Sequence, residues 1–187
     1  MKSAKVIVTG PARSGTTTLI RSLSEIAVLT TERRLDGRRT SKGEEVTVAL
    51  DFGRVTVSPD LVLYLFGTPG EEPESLGVGP LADGAIGVLV VVDASKPASV
   101  EDSAHIIEFL DRESDVHYAV AANRLSEGDT KRLGTLREAL GVAESVPVIA
   151  CEVVERESSK KALLALLDGI LDDATLFASP ESHEAKV

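Results

Sequence analysis

Residues 10–18 read Gly-Pro-Ala-Arg-Ser-Gly-Thr-Thr-Thr. Gly10, four intervening residues, Gly15, Thr16 and Thr17 reproduce the phosphate-loop spacing G-x-x-x-x-G-K-[ST], with threonine where the lysine belongs. Glycine at both ends lets backbone amides turn inward around an anion. A helix starting there adds the positive end of its dipole, so an anion site can outlast the missing ammonium. Gly10, Arg13, Ser14, Gly15, Thr16, Thr17 and Thr18 are therefore candidate phosphate-binding residues, and the Thr17 hydroxyl stands where it could ligate magnesium. The plain alternative is a strand-to-helix turn in which Ser14 and Thr16 only cap a helix.

Positioning such a loop requires a strand before it and a helix after it, and the flanking residues AKVIV and TTTLIRSLSEI supply both periods. Short apolar runs at Ala4–Thr9, Val46–Asp51, Leu61–Phe66, Ala85–Asp93, His117–Ala122 and Val146–Cys151 read as strands. Gly15–Val28, Ser99–Arg112, Thr130–Leu140 and Ser158–Leu176 read as helices. This alternation predicts an α/β fold of three layers, α/β/α, around a mostly parallel six-stranded sheet. No helix separates Val46–Asp51 from Leu61–Phe66. The connecting FGRVTVSPD suits a hairpin, which makes one antiparallel edge strand. Residues 1–177 read as a single domain and 178–187 as a flexible tail.

The 187 residues are 43% hydrophobic and carry a net charge of −10. That charge argues against nucleic acid or an anionic membrane surface as the main partner, because each phosphate would meet a repelling field. One cysteine, Cys151, rules out a disulfide framework and a cysteine zinc cluster. No apolar run approaches the roughly 20 residues a membrane span needs. The expectation is a cytoplasmic protein that is not integral to a membrane.

Thr47-Val-Ala-Leu-Asp-Phe-Gly-Arg54 followed by Leu63-Tyr-Leu-Phe-Gly-Thr-Pro-Gly70 resembles the switch regions of Ras-like small GTPases, in particular the bacterial branch of MglA and the actinobacterial conservon GTP-binding proteins. The segments GAIGVLVVVDAS and AVAANR look like that family's fourth and fifth strands, and the resemblance runs from Lys5 to about Leu176. It implies a P-loop NTPase fold that binds GTP or GDP with Mg. Thr47 would close on magnesium beside Thr17, Gly70 would meet the γ-phosphate through its N–H, and Asn123 would support the base. Cys151 and Glu152 would fall where backbone amides approach the guanine oxygen. Roadblock-type proteins or sensor kinases are the partners this resemblance implies. Taken one by one, Thr47 is also a good strand former, Gly70 a turn residue after Pro69, and Asn123 a possible strand-end cap.

Three positions depart from the family. Thr16 lacks the lysine charge, a loss that weakens triphosphate binding about ten- to a hundredfold on the strength of one charged hydrogen bond. Glu71 stands where a glutamine orients the attacking water, and a carboxylate there is repelled by the γ-phosphate. Ser126 replaces the aspartate that takes a two-pronged hydrogen bond from guanine. Together they predict weakened or lost hydrolysis. Arg33, Arg34, Arg38, Arg39 and Lys42 form a basic run, and an arginine of that run, or Arg13 in the loop itself, would offer a guanidinium to replace the lysine. The alternative for the run is a solvated or partner-binding face. Asp93, at a strand end, is open between capping and support of magnesium. Two functions remain: a nucleotide-binding switch with impaired hydrolysis, and a pseudo-GTPase interaction module that binds no nucleotide.

Overall fold

The computed structural model describes residues 2–39, 45–68, 84–113 and 115–177, with side chains except at 31–39, 45–49, 113 and 173–177. Strand β1 (Lys2–Thr9) precedes helix α1 (Thr16–Leu23), and β2 (Leu29–Arg39), β3 (Glu45–Ser58) and β4 (Leu61–Gly67) follow. Beyond β5 (Ala85–Asp93), helices and strands alternate as α2 (Pro97–Glu113), β6 (Tyr118–Asn123), α3 (Thr130–Leu140), β7 (Val148–Cys151) and α4 (Arg156–Phe177).

The strands form one sheet in the order β2-β3-β4-β1-β5-β6-β7. Strand β1 runs parallel to β4 and β5, and the parallel pairing continues through β6 to β7. Strand β3 is antiparallel to both β2 and β4.

Period-two alternation sends apolar side chains to both faces, as a sheet covered on both sides requires. Val6, Val8, Leu65, Leu89 and Val91 pack under α1 and α4 with Leu19, Ile20, Leu163 and Leu166. Ile7, Val88, Val90, Val92 and Val120 face α2 and α3 with Ile106, Ile107, Leu110 and Leu140. The three-layer α/β/α fold expected from the sequence is the fold observed.

Three expectations are corrected. The sheet has seven strands, because Leu29–Arg39, read as an arginine-bearing loop, pairs antiparallel with β3 from Leu29↔Phe52 to Arg34↔Thr47. The antiparallel strand β3 is therefore one place in from the edge, and β2 is the edge. FGRVTVSPD does join a hairpin, but most of it is strand and not connection. Strand β3 runs on through it to Ser58, and Pro59 and Asp60 alone make the turn. Helix α1 stops at Leu23, five residues earlier than expected. Ser24 leaves the helical region at φ −64°, ψ 136°, and its hydroxyl bonds to Ile26 O while Glu25 N donates to Arg54 O on β3.

Candidate functional site

Helix α1 lies on one face of the sheet and α2 on the other, so the chain leaves the neighbouring strands β1 and β5 in opposite directions. Between those departures a crevice opens at the carboxyl ends of the strands, the usual binding place of open α/β sheets. A cavity of about 270 Å³ occupies it, lined by Arg13, Gly15, Thr16, Thr17, Thr18, Asn123, Arg124, Glu152, Val153 and Val154. Seven of these were sequence candidates, drawn from three separate loops.

One side chain holds those loops together. Asn123 is buried at the end of β6; its Nδ2 donates to Ser14 O at 2.8 Å and its Oδ1 accepts from Val153 N at 3.3 Å. The loop after β1, the end of β6 and the loop after β7 are thus fixed on one amide. Gly15 permits the contact. Its φ of 115° is a left-handed conformation, and a Cβ there would stand 2.7 Å from Asn123 Nδ2.

Within the loop, Ser14 N donates to Pro11 O at 3.0 Å, and Leu19 N to Gly15 O at 2.9 Å begins the helix. The N–H groups of Gly15, Thr16, Thr17 and Thr18 have no acceptor among the described residues. They are the unsatisfied donors of a helix start, opening on the cavity. The Thr16 side chain, in the lysine position, likewise makes no hydrogen bond among the described residues.

The Thr17 hydroxyl donates to Asp51 Oδ2 at 2.5 Å, and Thr30 Oγ1 donates to Asp51 Oδ1 at 2.8 Å. Asp51 pairs in register with Gly67. A Cβ on Gly67 would lie 3.1 Å from Asp51 Cβ and 2.7 Å from Ile20 Cδ1, so the space beside Thr17 is filled from β3 and not from β4. Sequence reasoning gave Asp51 no role. The sequence shows the carboxylate but not its neighbour, because the β3–β4 register alone sets Asp51 beside Gly67. A hydroxyl and a carboxylate are the hard oxygen donors that suit magnesium.

Thr47 is not brought to this point. The β2–β3 hairpin holds it opposite Arg34, four residues and about 13 Å along the strand from Asp51. Cys151 is also outside the cavity: it is buried in β7 with its thiol pushed up by burial, while Glu152, Val153 and Val154 form the lining. Gly70 and Glu71 lie outside the described residues, as do residues 178–187. Thr68 precedes the former. It is fixed to β1 by Thr68 N to Val8 O at 3.0 Å and by a 2.8 Å bond from its hydroxyl to Thr9. Ser126 is exposed and does not line the cavity.

Arg124, which sequence reasoning also passed over, follows Asn123 with Nε 3.6 Å from Asp93 Oδ2. Burial pushes the Asp93 carboxyl up, but the Ser95 hydroxyl and amide, Lys96 and Arg124 together hold it below its ordinary value. Asp93 thus anchors the turn after β5 and the arginine at the cavity wall. It does not line the cavity.

A larger hollow of about 470 Å³ lies at the opposite end of the sheet, where Asp111, Asp115 and Asp172 would repel phosphate. Among the described residues no group of three or more His, Cys, Asp or Glu could hold a metal, and no helix is long and apolar enough to cross a membrane.

Known structures share this architecture. The G domain of the T. maritima FeoB iron transporter aligns over 92% of this chain and 99% of its own, with a TM-score of 0.59 and 21% identity. The FeoB cytosolic domain in apo form gives 0.64 at 20% identity over 90% of this chain, and its GDP form I gives 0.61 at 18% over 91%. This chain spans 64% of each cytosolic-domain structure. The fold is therefore that of P-loop G domains. No protein-family model matches the chain. In sequence it is 32% identical over 125 residues to the uncharacterized protein MJ1339 of Methanocaldococcus jannaschii, a match covering 67% of this chain and 72% of that protein. The chain thus belongs to the family of that archaeal protein, and its own fold is that of a G domain.

Proposed function

We propose that the protein binds a guanine nucleotide, GTP or GDP, in the 270 Å³ cavity, and that it hydrolyses GTP slowly or not at all. The observation that carries this reading is the row of open amides from Gly15 to Thr18, held in place through Asn123 and Ser14 O. Such a row binds phosphate without a side-chain cation. The GDP form of the FeoB cytosolic domain, a neighbour in fold, is consistent with it.

Thr17 and Asp51 would hold magnesium, which when bound would neutralise phosphate charge. The weakened hydrolysis follows from composition at three places. Thr16 brings no charge to the transferring phosphoryl group, Glu71 puts a carboxylate at the sequence position where the family's glutamine would orient water, and Ser126 offers guanine no carboxylate. A signalling role of the MglA or conservon type, with roadblock-type or sensor-kinase partners, is the finer form of this reading and rests on the switch-region resemblance alone.

The second reading, an interaction module without nucleotide, is favoured by one observation, that Ser126 is exposed and does not line the cavity. Denaturing freshly purified protein and chromatographing what it releases separates the two. Guanine nucleotide near one equivalent is expected. A chain that carries none, and that takes up none when incubated with GTP and magnesium, is the interaction module.

A further inference from the structure

We propose that Arg13 supplies the cation that the loop lost at Thr16, its guanidinium holding the terminal phosphates of a nucleoside triphosphate. The inference rests on the nucleotide reading above and assigns the residue that gives it phosphate-chain length selectivity.

Among the described residues, two without the freedom of glycine adopt positive φ: Arg13 at 64° and Arg124 at 63°. Both are arginines, and both line the same cavity. A residue with a Cβ is disfavoured in that conformation, and such positions cluster where a site fixes its own geometry.

The two arginines differ in what meets their charge. Arg124 Nε lies 3.6 Å from the buried Asp93 carboxylate, so its charge is answered by the protein. Arg13 is exposed, and its side chain has no hydrogen bond or ion pair among the described residues. In a chain of net charge −10, an uncompensated guanidinium beside a row of open amides makes a local positive field at the cavity mouth.

Guanidinium suits phosphate because its planar fork engages two oxygens at once. Arg13 also belongs to the loop, two residues before the first open amide, so the backbone that cradles the phosphates carries the charge to them. The other arginines named from sequence, Arg33, Arg34, Arg38 and Arg39, belong to the edge strand β2, three strands from β1.

The test is titration of the full chain with GTP, GDP and GMP in magnesium. Arg13→Gly is the variant of choice, because glycine adopts the left-handed backbone without strain. It is expected to weaken GTP about ten- to a hundredfold, GDP less, and GMP not at all. Arg13→Lys should retain part of the loss, and adding Thr16→Lys to Arg13→Gly should restore GTP affinity, which a collapsed loop could not do. Equal GTP affinity in wild type and Arg13→Gly, or a uniform loss across the three nucleotides that Thr16→Lys does not rescue, overturns the assignment and leaves the nucleotide reading standing. A wild-type chain that binds none of the three overturns that reading and this inference with it.

Discussion

Thr17 on the first turn of α1 and Asp51 in the middle of β3 are joined by a 2.5 Å hydrogen bond between hydroxyl and carboxylate, across 34 residues of sequence. Asp51 faces Gly67, and Ile20 and Asp51 together leave no room for a side chain on β4 at that point. The carboxylate nearest the phosphate loop is therefore contributed by the antiparallel strand, on the same face and one strand over.

If Asp51 and Thr17 hold magnesium against a bound nucleotide, Asp51→Asn preserves shape and removes charge. Nucleotide affinity in the wild type should fall when magnesium is chelated. In the variant, affinity in magnesium should already be lower by about tenfold, the worth of one charge-assisted bond, and chelation should change it little. A magnesium titration with each protein measures this, and identical metal dependence removes Asp51 from the site.

Asn123 makes two bonds, to Ser14 O and from Val153 N, that no other side chain among the described residues duplicates. Asn123→Asp keeps the acceptor but leaves the Ser14 carbonyl without its donor and adds a buried charge. The expected cost is about 1–3 kcal/mol of stability for the orphaned group, with nucleotide binding lost because three loops lose their common tie. Denaturant unfolding and nucleotide titration report the two effects separately. Wild-type stability in the variant would mean the loops are held by something else.

The phosphate loop was legible because its signal is local. A glycine spacing between an apolar run and a helical period fixes strand, bend and helix start together, and Gly10 through Thr18 fall where that pattern requires. Asn123 was named through the resemblance, as a residue that would support the base, and its tie to Ser14 O and Val153 N became visible only in the fold. Asp51 was not legible, because its role depends on register across a hairpin. Ser58 pairs with Leu61 but Thr56 pairs with Val62, so an irregularity between them shifts the ladder by one residue and sets Asp51 beside Gly67 instead of Thr68. Such a slip has no signature in composition, yet it decides which side chains meet. Strand β2 was missed for a related reason. Its residues, LTTERRLDGRR, are mostly polar and alternate weakly, and pairing with β3, not their own pattern, makes them a strand.

Asp93 ties the turn after β5 to Arg124 through Ser95, Lys96 and its own carboxylate. Its folded pKa lies below its ordinary value of 3.8. A depressed carboxyl contributes stability that is fully present above the unfolded value and is lost as pH falls through the folded one. The stability difference between wild type and Asp93→Asn should therefore hold steady from about pH 5 to 8 and shrink below about pH 4. Denaturant midpoints measured across that range test it. A difference that grows on acidification has the wrong sign and would rule out an ionised Asp93 as the anchor.

Gly15, like Gly10 before it, is a loop position where a side chain would clash. With φ at 115° and Asn123 Nδ2 2.7 Å from where a Cβ would sit, Gly15→Ala meets both a backbone penalty and a steric one. Left-handed backbone costs a residue with a Cβ about 1–2 kcal/mol. Relief of the contact requires Asn123 to move, which breaks its bond to Ser14 O. The variant should unfold at lower denaturant and fail to bind nucleotide, and since the clash is with Asn123, the double variant Gly15→Ala with Asn123→Ala should be less destabilised than the sum of the two. That non-additivity, read from a double-mutant cycle of unfolding free energies, is the expected outcome. Strict additivity would mean that Gly15 and Asn123 act independently and that the amide row is positioned by the helix start alone.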